Sequence, residues 1–323
     1  MASPSWTQSI DDMFTSTWAY RKDGAILQSY EKTPFWAWLS KKNRIKNISG
    51  YRRIEINLKY GKNETATWLT KGGTVPLTEN TLLTVAYEDW KYIAVNILRY
   101  GVEDQQNRGS ARIVDYVKSK LESAEIALDE AFESVVFSDG TGSNEPNGVQ
   151  NLVSSTPTTG TVHGINRATY DWFRNVQKTS SGVTSVYLLS DMRTMMNDMT
   201  KQRGIEYGSM FVYTTQDIFE AYEDELLEVQ KYTSSELIDK QFESLTFKGR
   251  PIMWAPSCPS GNMYFLNPEY LYVVIDPGFY MDMTEWKAIP DQVNDKVAQI
   301  LCTMQLVTSR PIAQGVMTSI TVG

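Results

Sequence analysis

Residues 54–98 read IEINLKYGKNETATWLTKGGTVPLTENTLLTVAYEDWKYIAVNIL, and this stretch decides the fold. Ile54, Ile56, Leu58 and Tyr60 alternate with Glu55, Asn57 and Lys59. Successive side chains of a strand point to opposite faces, so the alternation predicts a strand with one buried face. A polar run from Gly61 to Asn80, marked by Gly72-Gly73 and Pro76, leads into Val85 to Leu98, which predicts returning strand structure. Together they predict a long hairpin with an extended tip. Ordering a tip of about 20 residues costs on the order of 20–40 kcal/mol of backbone entropy. Offsetting that by apolar burial needs roughly 800–1,600 Å². Trp68, Leu69, Val75 and Leu77 have no adjacent helix to cover them. The tip is therefore expected to be mobile in a lone copy or covered by another subunit.

After the hairpin, Ile113, Val117, Leu121, Ala124, Leu128, Ala131 or Phe132, and Val135 recur at three- and four-residue steps, which predicts one long helix. Ser110 stands at its start and Asp139-Gly140-Thr141-Gly142 at its end. Lys118, Lys120, Glu122, Glu125 and Glu130 mark the opposite face, so the helix is expected to lie along a sheet as a spine. Beyond a loop from Gly142 to Gly164, the pattern predicts a helical stretch over 168–176, a strand over 185–189 and a helix over 191–200. Strands are expected at 245–254, 263–266 and 270–275. Ala298, Ile300, Cys302, Met304 and Leu306 alternate into a further strand that Arg310-Pro311 ends. The class this predicts is α+β with a mainly antiparallel sheet.

The chain has 323 residues, a length for about two structural units. Hydrophobic residues at 41% and aromatics at 12% fit a core-forming protein. The net charge of −7 argues against a dedicated DNA-binding module. That charge is unevenly spread: residues 1–71 hold 12 Lys/Arg and 6 Asp/Glu, densest in bases from Lys41 to Arg53. Acidic stretches such as Glu220 to Glu228 could meet this segment from another copy. The N-terminus has no basic and apolar pattern of a secretory signal, no run is long enough to cross a membrane, and Cys258 and Cys302 make no disulfide framework. Synthesis in a reducing cytosol is expected.

Catalytic chemistry is sparse. The single histidine, His163, lies in a Thr/Gly-rich loop and cannot build a two-His metal site. No GxSxG elbow, phosphate-cradling GxGxxG or Gly-Lys-Ser/Thr accompanies it. Carboxylate pairs for glycoside hydrolysis stay formally open, and nine tryptophans could stack on sugars, although Trp68, Trp90, Trp172, Trp254 and Trp286 fall in or beside regular elements where core packing is the commoner role. Met192, Met195, Met196 and Met199 have the spacing of a buried helix face.

The order of parts resembles one family. A basic, aromatic N-terminal segment precedes a two-stranded loop and a spine helix. Phe137-Ser138-Asp139-Gly140-Thr141-Gly142, Glu145-Pro146-Asn147-Gly148-Val149, Phe247-Lys248-Gly249-Arg250-Pro251-Ile252 and Arg310-Pro311-Ile312-Ala313 follow. This resembles the major capsid protein of tailed double-stranded-DNA bacteriophages, the Hong Kong-type shell fold shared with encapsulins. The resemblance implies an N-terminal arm at 1–50, an extended loop with flanking strands at 51–100, and a peripheral-domain spine helix at 101–145. It further implies an axial domain at 146–284 and peripheral-domain C-terminal strands at 285–323. The implied function is a non-enzymatic shell subunit that self-assembles into pentamers and hexamers, forming an icosahedral virion capsid around phage DNA, without cofactor, metal or membrane. It is made in the host bacterial cytoplasm, with a separate scaffolding protein, a portal and a decoration protein as further partners.

Within that expectation, Lys59, Lys62, Glu64, Trp68 and Lys71 make contacts between subunits, and Arg52 and Arg53 pair with acids of an adjacent copy. Cross-linking of Lys62 or Lys71 to Asn294 is a minor option. A lone copy is expected to leave both arm and loop uncovered. The alternatives are an encapsulin-like compartment and, in another class, a glycan-binding or glycan-cleaving protein.

Overall fold

The computed structural model of the chain describes residues 11–22, 25, 34–50, 52–61, 65, 67–74, 82–106, 110–142, 144–201, 205, 208, 210–227, 245–292 and 294–323. After a helical stretch at 11–22 come α1 (Pro34–Lys41), β1 (Ile45–Asn47), β2 (Ile54–Lys59), β3 (Leu83–Glu88) and β4 (Lys91–Arg99). Then follow α2 (Gly101–Gln106), α3 (Ser110–Val136), α4 (Val149–Leu152), β5 (Thr161–Val162), β6 (Ile165–Asn166), β7 (Val176–Thr179) and α5 (Thr184–Thr200). The chain continues through β8 (Phe211–Thr214), α6 (Gln216–Leu227), β9 (Leu245–Phe247), β10 (Arg250–Trp254), β11 (Met263–Leu266) and β12 (Leu271–Met283). It closes with β13 (Lys287–Ala288), β14 (Lys296–Thr308) and β15 (Gly315–Thr318).

Two sheets organise these elements. In the first, β14 pairs antiparallel with β12 and β13 along one side and with β4 along the other, while β1 joins β12 in parallel. The 27-residue α3 lies against β4, the expected spine on a sheet. The second sheet has the order β7-β15-β11-β8-β10-β9, with two parallel pairings, β7 with β15 and β8 with β10. Its inner strands β8, β11 and β15 are buried on both faces. Phe211, Tyr213, Tyr264, Leu266 and Val316 point into the core shared with α1 and α3, whereas Val212, Met263, Phe265 and Met317 point to the layer made by α5 and α6. Strands covered on both sides read as continuous apolar runs, as the Met-Tyr-Phe-Leu of β11 does.

Several sequence expectations need correction. The run 185–189, read as a strand, is the first part of α5. Its aliphatic and aromatic residues mimic a strand locally, but Leu188 joins Met192, Met195, Met196 and Met199 on one buried helical stripe. The stretch 168–176 holds only a 3-10 turn, Asp171–Phe173, and then enters β7. There the Arg174 side chain donates to the carbonyls of Arg167 and Ala168. The single return strand expected over 85–98 is two strands in different sheets. β3 pairs with β2, the chain turns at Asp89-Trp90, and β4 pairs with β14.

Sheet membership joins segments far apart in the chain. β12 lies before residue 284 but pairs with β14 after it, and β15 near the C-terminus sits in the second sheet beside β7 and β11.

The uncovered arm is the largest correction. Phe14 packs edge-on against Trp286 at 5.0 Å, and the Trp18 indole donates to the Met281 carbonyl at 3.0 Å. Trp36 donates to the carbonyl of Phe132 in α3, and Trp38 lies 4.8 Å from Phe211. Phe14, Trp18, Phe35, Trp36 and Trp38 are therefore buried in their own chain, while Tyr20 stays exposed. The inner face of the ribbon does the same: Ile54, Ile56, Leu58 and Ala86 are at most 2% exposed.

Candidate assembly interface

The β2–β3 ribbon carries Lys59, one of the residues read as contacts between subunits, with Arg52 and Arg53 just before it and Trp68 and Lys71 in the chain between its strands. Its register pairs Glu55 with Tyr87, Asn57 with Val85 and Lys59 with Leu83, so these six residues share the face opposite the buried Ile54, Ile56 and Leu58. Leu83, Val85 and Tyr87 form an exposed apolar stripe on that outer face, 68%, 37% and 47% exposed. At the ribbon's outer end, Tyr60 stacks on Trp172 with ring centroids 4.8 Å apart. Further out, Trp68 is wholly exposed, Leu69 is half exposed, and a turn in which the Gly73 N–H donates to the Thr70 carbonyl presents Lys71. Gly72 holds φ at +87°, a conformation that favours glycine.

Of the candidate residues, Arg52, Lys59, Trp68 and Lys71 are exposed on this projection, and Lys62 and Glu64 lie outside the described residues. Arg53, expected to meet an acid of another copy, bonds Asp89 of its own chain at 2.7 Å. The pairing of Ile54 with Glu88 brings the two residues together. Both side chains are more than half exposed, which makes this a weak pair. Lys46, another member of the basic segment, lies 3.7 Å over the Tyr272 ring. Burial first, and then Arg44, hold its ammonium pKa below the ordinary value. Asn294 is exposed and packs beside Gly101.

The base of the ribbon is anchored by a residue for which sequence reasoning found no role. His163 lies between β5 and β6 with its side chain fully buried. Its Nε2 accepts the Thr308 N–H at 3.1 Å from the end of β14. The proton must then sit on Nδ1, which donates to the Glu88 carboxylate at 2.6 Å. The His163 carbonyl also accepts the Tyr87 N–H. Beside it, the Gln305 amide nitrogen donates to the Asp89 carbonyl at 3.2 Å, while its oxygen accepts the Asn147 N–H at 2.7 Å. One polar joint thus ties the ribbon, the β5–β6 turn, the loop after α3 and β14. No local spacing announces it, because its partners lie 75 and 145 residues away.

Concavities lie near these elements and elsewhere among the described residues. An apolar pocket of about 220 Å³ lies between the end of α3 and β4, with Phe132, Val135, Ile93 and Met304 among its walls. A polar one of about 390 Å³ lies at the ribbon base beside His163 and Asn147. A wide groove of about 840 Å³ separates α5 from α6, where Asp217, Glu220 and Asp224 make an acidic rim.

None of these holds an arrangement for covalent or metal chemistry. Among the described residues no group of three or more His, Cys, Asp or Glu side chains could hold a metal ion. Burial pushes the Cys258 thiol up to about 12 and raises that of Cys302 as well, so neither is an activated nucleophile. Trp18, Trp36 and Trp38 are core residues. Trp68, expected from its position to pack in a core, is instead the tryptophan left wholly exposed among the described residues. No row of exposed indoles offers a sugar platform there.

No family model matches the chain, and no curated protein matches it. Solved structures do. The capsid asymmetric unit of cyanophage A-1(L) is similar with a TM-score of 0.64 at 17% identity, over 86% of this chain and 90% of that one. The capsid of the native GTA particle gives 0.57 at 11% identity, over 88% and 91%. An encapsulin complex from Synechococcus elongatus gives 0.55 at 10% identity, over 89% and 88%. At these identities the likeness shows the fold: the chain has the architecture on which phage-type capsids and encapsulins are built.

Proposed function

We propose that this chain, built on the Hong Kong-type shell fold, is the major capsid subunit of a tailed phage, assembling through pentamers and hexamers into an icosahedral shell around double-stranded DNA. The observation that carries the reading is the ribbon itself. Its inner face is closed by its own chain while its outer stripe, Leu83, Val85 and Tyr87, and the tip residues Trp68 and Leu69 stay uncovered. Large apolar groups aligned on one projecting element mark a contact surface. Burying these five side chains contributes on the order of 10 kcal/mol. Association itself costs about 4–15 kcal/mol in lost freedom, so a single contact is marginal. Closed rings make each contact part of a set, which is how marginal interfaces add up to a stable shell.

On this reading the first sheet with α3 is the peripheral layer. The second sheet with α5 and α6 is the axial layer that gathers around symmetry axes. The role is structural, DNA is enclosed without sequence readout, and the location is the virion after synthesis in the bacterial cytoplasm. Scaffolding, portal and decoration proteins are further partners of such a shell. The supporting observation is the shell fold. An encapsulin-like compartment is the second reading, favoured by the likeness to an encapsulin over most of both chains.

Negative-stain microscopy and sedimentation of the purified chain, alone and co-expressed with its neighbouring genes, test the proposal. Closed shells of uniform size are expected, filled with DNA in the phage case and with protein cargo in the compartment case. A protein that stays monomeric at all salt and protein concentrations, with and without those partners, overturns it.

A further inference from the structure

His163 is the single histidine of the chain, and it sits where its charge cannot change without breaking a bond. It forms the two-residue turn between β5 and β6 with Gly164, their φ angles at +51° and +74°. Two successive positive values belong to the tight hairpin turn that matches the twist of paired strands, so the backbone fixes where the ring stands. The side chain is fully buried, and the Phe173 ring meets it edge-on with centroids 6.2 Å apart.

The two ring nitrogens face opposite demands. Nε2 meets the Thr308 N–H of β14, which can only donate. Nδ1 meets the Glu88 carboxylate of β3, which when ionised can only accept. A neutral ring with its proton on Nδ1 satisfies both. A second proton has to go on Nε2, directly against the Thr308 N–H, and two donors make no bond. The imidazolium gains attraction from Glu88, while Thr308, itself buried, is left with an orphaned N–H.

The surrounding charges leave Glu88 in control. Arg53, Asp89, Lys91 and Glu145 line the polar cavity beside the ring, and Arg53 is bonded to Asp89. Arg167, just past β6, donates to the carbonyls of Asn151 and Leu152. From β14 the neighbour is the neutral Gln305, whose amide nitrogen reaches Glu88 at 3.5 Å and the Asp89 carbonyl at 3.2 Å. From the loop after α3 it is the neutral Asn147.

We propose that His163 is a proton-operated catch: taking up a proton breaks its bond to β14 and leaves it held to Glu88 alone, so acidification loosens the base of the β2–β3 ribbon. The catch works within one copy and does not depend on the shell reading. Imidazole is the side chain whose charge ordinarily changes between about pH 5 and pH 8. The tie to β14 is complete while the ring is neutral and is lost as pH falls through its titration. The Gln305 bridge to Asp89 remains in both states, so the ribbon is loosened rather than detached.

Nitrogen-edited NMR of the unassembled chain tests this, because one histidine gives one set of imidazole signals. A neutral ring protonated on Nδ1 is expected at about pH 8 and an imidazolium at about pH 5, with the Thr308 amide shifting in the same titration. Amide exchange, corrected for its intrinsic pH dependence, should show Thr308 losing at least about tenfold in protection across that range. His163→Gln should abolish the dependence, since its amide can accept from Thr308 and donate to Glu88 but takes up no proton. Should that variant fail to fold, Glu88→Gln withdraws the charge that favours the imidazolium and should move the transition to lower pH. An imidazolium already present at about pH 8, or a ring still neutral at about pH 5, overturns the proposal. So does Thr308 protection that stays constant through the titration, and so does an unchanged pH dependence in His163→Gln.

Discussion

His163 shows how much one buried side chain can govern. Its ring bridges Thr308 and Glu88, so truncation leaves a buried N–H and a largely buried carboxylate without their partner. Each such orphan costs about 1–3 kcal/mol, and His163→Ala should destabilise the chain by about 2–4 kcal/mol in urea unfolding. The ribbon base should also lose amide-exchange protection at Tyr87, whose N–H is held by the His163 carbonyl. Asp191 is a second such group. Burial raises its pKa, but the Ser181 N–H, the Lys178 ammonium and the Ser181 hydroxyl together hold it below its ordinary value of 3.8. A carboxyl depressed by folding contributes its full stability above the unfolded value and loses it as pH falls through the lower folded value. Asp191→Asn should therefore cost about 2–4 kcal/mol at neutral pH and flatten the stability curve below pH 3.8, read by thermal unfolding across that range. Neither role was legible beforehand: a lone histidine and one aspartate on a helix carry no pattern until distant chain surrounds them.

Among the elements, the spine helix was the most legible and its C-terminal join the least. The stripe from Val117 to Val135 follows the helical period, and Leu121 and Leu128 are buried as that period requires. The join depends on Gly148. A Cβ there would lie 2.3 Å from the Ser138 nitrogen and 2.6 Å from the Val135 carbonyl oxygen, both backbone atoms that cannot swing aside. Gly148→Ala should destabilise by about 3 kcal/mol or more and lower the thermal midpoint of the lone chain before any effect on assembly is read. Arg53 makes the opposite case. Its exposed pair with Asp89 should give less than about 1 kcal/mol on Arg53→Ala in urea unfolding, with a shift that vanishes at high salt. The ribbon strands were readable from alternation. The break at Asp89-Trp90 was not, because a strand that changes sheet keeps its β character on both sides of the corner.

For the molecule as a whole, the proposed reading puts fold stability and assembly on opposite faces of the same ribbon. Substituting Leu83→Asn, Val85→Thr and Tyr87→Asn together changes only the outer stripe. The unfolding midpoint of the monomer should stay within a few degrees, while the fast-sedimenting species is lost. A large fall in monomer stability would show instead that the stripe is part of the fold. This separation replaces the expectation of a wholly uncovered arm and loop. Residues 11–22 and 34–41 pack into the core of their own copy, so on the proposed reading the surface left for siblings is narrower: the outer stripe and the tip.

By itself the sequence determined the elements whose signal is local: the alternation of β2, the heptad-like stripe of α3, the apolar run of β11 and the alternating closing strand β14. Periodicity is set by backbone geometry, so it is written into neighbouring residues. Only the tertiary structure decided which strands share a sheet, that 185–189 extends a helix, that Trp18 and Trp36 are covered, and that His163 bolts the ribbon to β14. Those outcomes depend on partners up to 263 residues apart, as in the bond from Trp18 to Met281, and no short-range pattern specifies what a side chain will meet at that distance.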